Sequence, residues 1–237
     1  MLQTSKIEYV YDNVVLEGYC ALDDSHKGSK PAVLVAPDWS GRNDFACQKA
    51  EQLAEMGYVG FALDMYGAGK STNIDEEKQK LMKPLANDRA LLRGRVLAAF
   101  HTVRSLEVVN GARIGIMGYC FGGMCALDLA RSGAEIRGAV SFHGTLNAPD
   151  LQTHPIHAKL LVLHGFEDPH APPSQVSAFE KEMTDAGVDW QIHIYGHTQH
   201  AFTNPRAHDP KQGLVYNSLA DRRSWISMRD FFLEVFS

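Results

Sequence analysis

Residues 118–123 read Gly-Tyr-Cys-Phe-Gly-Gly, with the thiol of Cys120 flanked by Gly118 and Gly122. The apolar run Arg113-Ile114-Gly115-Ile116-Met117 precedes this segment, and a helical pattern from Met124 to Ala130 follows it. A strand, a pinched turn and a helix in that order make a nucleophile elbow, Gly-x-nucleophile-x-Gly, with Cys120 at its apex. The two glycines lack the Cβ atoms that would collide where strand and helix approach so closely. The helix also turns its positive end toward the sulfur, which favours thiolate over thiol. A thiol so placed is suited to attack on an acyl carbon. Taken alone, the segment also fits a small buried Cys in an ordinary βα turn.

A thiol nucleophile needs a base to take its proton and a carboxylate to orient that base. The strand-like run Leu160–Leu163 leads into His164-Gly165-Phe166-Glu167-Asp168-Pro169, and Gln191–Tyr195 leads into Gly196-His197-Thr198-Gln199-His200-Ala201-Phe202. Asp168 is the candidate orienter and His200 the candidate base, because His200 stands before an apolar pair that would anchor its loop. Glu167 competes with Asp168 and His197 with His200. Asp168 before Pro169 also fits a turn residue bonded to its own backbone. A metal held by His197 and His200 is not expected, since no Cys or carboxylate cluster stands at ligand spacing.

The elements that must position these residues alternate along the chain. Ile7–Val10 and Val14–Cys20 suggest an opening hairpin turning on Asp12-Asn13. Further strands are expected at Ala32–Ala36, Val59–Leu63, Ile114–Met117, Gly138–Phe142, Leu160–His164 and Trp190–Tyr195. Their near-continuous apolar character implies burial on both faces, hence a mostly parallel, doubly wound α/β sheet with helices on both faces. Helices are expected at about 44–56, 86–109, 121–132, 174–187 and 216–235. The polar stretch from Tyr66 to about Leu85 is expected as an excursion over the site at the carboxyl ends of the strands. No linker or repeat divides the 237 residues, so a single domain spanning 1–237 is expected.

Composition narrows the function classes. The chain is 45% apolar and 22% charged with a formal net charge of -5, and its Lys and Arg are scattered, so nucleic acid is not an expected partner. No run approaches the ~18 apolar residues of a membrane span, and nothing near Met1 has the form of a signal peptide. The four cysteines (Cys20, Cys47, Cys120 and Cys125) lack framework spacing, which suits free thiols in a cytoplasmic protein. Cys120 and Cys125 are poorly spaced for a redox pair. Gly67-Ala68-Gly69-Lys70-Ser71 ends like a phosphate-binding loop, but Asp64 stands where that motif needs its first glycine.

The elbow, the loop ending in Asp168 and the His200-Ala201-Phe202 turn together resemble the dienelactone hydrolase family. So do Ala36-Pro37-Asp38-Trp39-Ser40-Gly41 and Leu63-Asp64-Met65-Tyr66-Gly67. The resemblance spans most of the chain and implies an α/β-hydrolase fold with a Cys120, His200 and Asp168 triad and no cofactor. It implies an oxyanion site made by the backbone N–H groups of Trp39 and Phe121. It also places Asp38 where the family has an acidic residue acting on the resting thiol, although Asp38 equally fits a cap for the helix after Gly41. Dienelactone hydrolases hold a substrate carboxylate with two arginines, one of them four residues after the histidine. Asn204 occupies that position here, so Arg206 is the nearest substitute, and Arg89, Arg93 or Lys78 the candidate for the other. The expected partner is therefore a small-molecule ester, lactone or thioester, cleaved by a monomer or small homo-oligomer. The alternative is a non-catalytic small-molecule-binding member of the fold.

Overall fold

The hairpin pairs β1 (Leu2–Tyr11) with β2 (Val14–Asp23) antiparallel, and its turn residues Asp12 and Asn13 both take positive φ, 49° and 60°. Asp and Asn tolerate that region, which a two-residue hairpin turn requires. The computed structural model describes residues 1–25, 28–152 and 154–237. Six more strands complete one sheet: β3 (Lys30–Ala36), β4 (Val59–Ala62), β5 (Val109–Tyr119), β6 (Gly138–Phe142), β7 (Lys159–Gly165) and β8 (Trp190–Tyr195). Their order is β1-β2-β4-β3-β5-β6-β7-β8, antiparallel across β1-β2-β4 and parallel from β4 to β8.

Side chains of these strands alternate between two cores, as the period of a strand demands. Ala32, Leu34 and Ala36 of β3 face one core, while Val33 and Val35 face the other. The first core is covered by α3 (Arg89–Arg104), α4 (Phe121–Arg131) and α5 (Pro173–Asp185), and the second by α1 (Asp44–Glu55) and α6 (Ser218–Val235). Phe231 and Phe232 of α6 are buried in the second core, each contributing about 1.5–3 kcal/mol by removal from water. The chain leaves β3 toward β4 on one side and lies beside β5 on the other, which makes the carboxyl ends of β3 and β5 the topological switch point. The loop with Trp39 and the turn with Cys120 flank that crevice.

The structure differs from these expectations in several elements. The stretch expected as an excursion over the site contains a helix not expected from the sequence, α2 (Asp75–Asn87), which runs through Pro84. Asp75, Glu76 and Glu77 in its first turn complement the positive helix end, and its stripe of Leu81, Met82, Leu85 and Ala86 packs on the first core. The helix expected from residue 86 begins instead at Arg89, because the Asp88 side chain caps it by accepting from Leu91 N–H at 2.9 Å. Strand β5 is also longer than its apolar run, starting at Val109. A two-stranded ribbon, β9 (His208–Asp209) with β10 (Leu214–Val215), lies between β8 and α6.

Candidate active site

Cys120 sits between the end of β5 and the start of α4 with φ 55° and ψ -117°, a conformation that L-residues other than Gly rarely adopt. Its N–H donates to the Phe142 carbonyl at 3.0 Å, and its carbonyl accepts from Gly123 N–H at 2.9 Å, so the strained turn is pinned from both sides. A Cβ on Gly118 would collide with the Gly122 carbonyl oxygen, and one on Gly122 with that of Ala36 in β3. The elbow therefore closes only with glycine at both positions. The thiol makes no cap bond to α4 and is left free for other chemistry.

Asp168 follows β7 and His200 follows β8, and both are buried. His200 Nδ1 bonds Asp168 Oδ2 at 2.8 Å, and the His170 N–H donates to Asp168 Oδ1 at 2.8 Å. Burial disfavours charge on Asp168, yet the bonds from His200 and His170 outweigh it and hold the carboxyl below its ordinary range. Burial likewise opposes charge on His200, but the charge of the nearby Cys120 sulfur and the Asp168 carboxylate bonded to Nδ1 push its pKa up to about 10. The competing pair, His197 and Glu167, meets at 3.3 Å on the surface, with the His197 side chain 98% exposed. One His–carboxylate pair is thus dry and beside the thiol, and the other is in water.

Tyr66, after β4, joins the two sides of the crevice. Its hydroxyl donates to the Trp39 carbonyl at 2.9 Å, and its ring stacks on Phe121 at 6.4 Å between centroids. Phe121 is the first residue of α4, where backbone N–H groups have no partner within the helix. Asp38 is not a helix cap: Asn43 caps α1 by accepting from Ala46 N–H, while Asp38 Oδ1 accepts from Ser40 N–H at 2.7 Å. Burial raises the Asp38 pKa against the opposing pull of Ser40, Lys78 and Arg206.

The candidate arginines divide. Arg89 is committed elsewhere: its Nε and Nη2 both bond the fully buried Asp128 at 2.6 Å, so its fork is closed to a substrate carboxylate. Arg93 lines an apolar groove with Tyr11, Gly94, Leu97 and His101, none of them among the site residues. Lys78 lies 5.1 Å over the Trp39 ring, and Arg206 lines a polar cavity of about 550 Å³ with Thr203, Asn204 and Asn73, next to the His200 turn. The phosphate-loop look-alike is explained by Asp64. Its carboxylate accepts from the N–H groups of Glu17, Tyr66, Gly67 and Gly69 at 2.7–2.9 Å, filling the cradle an anion would need. Among the described residues no His, Cys, Asp or Glu cluster is arranged to hold a metal, and no helix is long and apolar enough to cross a membrane.

The family model for the dienelactone hydrolase family matches residues 14–236. This chain belongs to that family. A solved structure named m3DLH superposes with a TM-score of 0.92 at 36% identity, covering 100% of this chain and 99% of its own. A dienelactone hydrolase-like promiscuous phosphotriesterase from metagenomic libraries, P91, gives 0.94 at 32% identity, with 100% and 99% covered. A Bradyrhizobium protein named "Probable 2-oxo-3-(5-oxofuran-2-ylidene)propanoate lactonase" is 30% identical over 186 residues, 74% of each chain. MGS-M1, an α/β-hydrolase enzyme from a deep-sea metagenome, shares the fold at a TM-score of 0.67 and 20% identity, covering 99% of this chain and 98% of its own. The dienelactone hydrolase family fold here is that of the α/β-hydrolases, and the chain is a hydrolase acting on ester or lactone bonds.

Two further participants in this neighbourhood have no sequence signal that assigns them a role. Tyr66 counts toward the family resemblance and opens the stretch read as an excursion, but nothing local gives it a role of its own. His143 directly follows β6 and packs against His200, and its one local signal is a titratable residue after a buried strand.

Proposed function

We propose that this hydrolase cleaves an ester, lactone or thioester of a small molecule through an acyl-enzyme on Cys120, without a cofactor. The observation that carries this reading is the buried Asp168–His200 pair at 2.8 Å, set against a thiol held in a strained elbow. His200 takes the thiol proton, and Asp168 fixes its tautomer and favours the imidazolium. The thiolate attacks the acyl carbon, and the oxyanion forms against the N–H groups of Phe121 and Trp39, which Tyr66 holds at one spacing. His200 returns its proton to the leaving oxygen or sulfur, then activates water to release the acid. Asp38 bears on the resting thiol from the Trp39 loop, and Lys78 and Arg206 set the charge of the crevice around it.

Trapping tests this directly. An aryl ester that deacylates slowly should add one acyl mass to Cys120 of the parent and none to Cys120→Ala, with a burst of phenol equal to the enzyme. Turnover undiminished in Cys120→Ala would end the reading and favour a site that does not use this thiol. An aryl phosphotriester belongs in the same panel, because P91 is a promiscuous phosphotriesterase and thiolate attack at phosphorus would use the same donors.

A further inference from the structure

We propose that His143 is a positioning residue for the reaction, holding the turn that carries His200 and supporting its imidazole between Asp168 and Cys120. This rests on the reading of His200 as the base.

Strand order puts His143 in this position. Cys120 follows β5, His143 follows β6 and Asp168 follows β7, so β6 lies between the strand of the nucleophile and the strand of the acid. His200 arrives from β8, at the sheet edge, and its turn must reach back across those strand ends to meet the thiol. There the rings of His143 and His200 meet edge to face, 5.0 Å between centroids at 65°. His143 Nε2 bonds Thr203 Oγ1 at 2.8 Å, three residues beyond His200, and its ring also meets Phe202 at 5.0 Å and 79°. One side chain thus touches His200, Phe202 and Thr203.

The turn it touches needs support. Ala201 takes φ 57°, a region that Ala rarely occupies. The main chain is anchored by Val215 N–H on the His200 carbonyl and Asn217 N–H on the Phe202 carbonyl, each at 3.1 Å, which fixes the backbone but not the imidazole. His143 adds a side-chain link from the turn to the end of β6.

His143 is also a costly residue for mere filling. It takes φ 40°, and its buried Nδ1 has no hydrogen-bond partner among the described residues. Backbone strain and an orphaned polar atom each cost of order 1 kcal/mol or more, and a Phe would fill the space without the orphan. Burial and the charge on His200 hold this imidazole well below its usual range, so it stays neutral while His200 carries the proton. The other titratable groups facing it are Asp168, His164 and Tyr119, whose ring lies 6.1 Å from its own between centroids. A second cation beside His200 would drive the proton off the base, whereas a neutral ring supports it without competing.

The test uses the full chain with Thr203→Val, His143→Phe, His143→Gln and the double variant Thr203→Val/His143→Phe. Steady-state kinetics on an aryl ester are paired with ultraviolet titration of the Cys120 thiolate, and His200→Asn is carried alongside. Displacing a base by a fraction of an ångström should lower kcat roughly tenfold or more in Thr203→Val and His143→Phe, with KM within about twofold. The double variant should lose no more than the worse single one, because both break one link. The thiolate midpoint should move in both, and His143→Gln, whose amide can still bond Thr203, should recover part of the loss. Unchanged kcat and midpoint in Thr203→Val, losses confined to KM, or additive losses would overturn the proposal. If His143→Phe fails to fold by circular dichroism, Thr203→Val decides alone, as it exchanges only a hydroxyl for a methyl. An active His200→Asn would overturn the base assignment and this proposal together. An inactive His200→Asn with a normal Thr203→Val overturns this proposal alone.

Discussion

Asp168→Asn removes one charge and leaves one oxygen where the site uses two. In the parent, Oδ2 accepts from His200 Nδ1 and Oδ1 from the His170 N–H, both at 2.8 Å. An amide offers one oxygen and one NH2 group. If its oxygen stays toward His170, the NH2 faces Nδ1 and selects the tautomer with hydrogen on Nε2, which cannot take the thiol proton. If its oxygen turns toward His200, the NH2 opposes the His170 N–H in a buried place. Loss of a charge-assisted bond alone is about 1.5–3 kcal/mol, or roughly 10- to 150-fold. A wrong tautomer in an acid–His–nucleophile system reaches ~10⁴-fold in kcat. The expected fall in kcat is therefore about 10²–10⁴-fold, with KM little changed. Without the carboxylate the imidazolium is less favoured, so the alkaline limb governed by His200, pushed up to about 10 in the parent, should move to lower pH. Stopped-flow turnover of an aryl ester across the pH range measures both. A variant within about threefold of the parent, with its alkaline limb unmoved, would refute the role given to this carboxylate.

Cys120→Ala should lower turnover at least ~10⁴-fold while retaining the parent circular dichroism, and iodoacetamide followed by peptide mass spectrometry should label Cys120 ahead of the buried Cys20 and Cys125. His200→Asn should cost at least ~10²-fold in kcat and His197→Asn almost nothing, because the His197 side chain is 98% exposed on the far pair. Burial keeps His143 and His164 neutral below the ordinary 6.5, so the unfolded chain binds those protons first. The stability they contribute is whole above that pH and is lost as the pH falls beneath it, by up to about 1.4 kcal/mol per pH unit for each group. The slope of Tm against pH in mildly acid buffer should therefore be shallower in His143→Phe. Neutral lactones should be turned over at least as well as matched anionic ones, since Asn204 stands at one arginine position and Arg89 is paired with Asp128. A salt-sensitive preference for the anion, lost in Arg206→Ala, would show that Arg206 supplies the missing charge.

Most of the architecture was legible because its strands are strong local patterns with punctuation at their ends. The elbow announces itself by two glycines around Cys120, and Asp168 and His200 stand within a few residues of strand ends that apolar runs mark clearly. What was not legible arises from packing or from capping. Helix α2 has a single fully buried residue, Leu85, so its apolar stripe is too thin to outweigh a polar composition and an internal Pro84. The break at Asp88 is one side-chain bond to Leu91 N–H inside an otherwise continuous helical pattern. Arg89 passed as a ligand for substrate because nothing local says that Asp128, 39 residues away, occupies its fork.

His143 and Asp64 show the same limit from opposite sides. His143 gains its neighbours only because β6 lies between β5 and β7 while His200 returns from β8, an ordering that no local window encodes. Asp64 stands where a phosphate loop would have glycine, and the sequence alone reads as a broken motif. In the folded chain that same residue explains the loop, since its carboxylate takes the N–H groups of Gly67 and Gly69 that would otherwise attract an anion. A glycine-rich turn that supplies its own carboxylate has no need of a ligand to be stable. It can instead act as a rigid support for Tyr66, whose N–H is held by the same carboxylate and whose hydroxyl fixes the Trp39 loop. Asp64 is thereby linked to the proposed oxyanion site through two hydrogen bonds, and the broken motif becomes part of the scaffold for the chemistry.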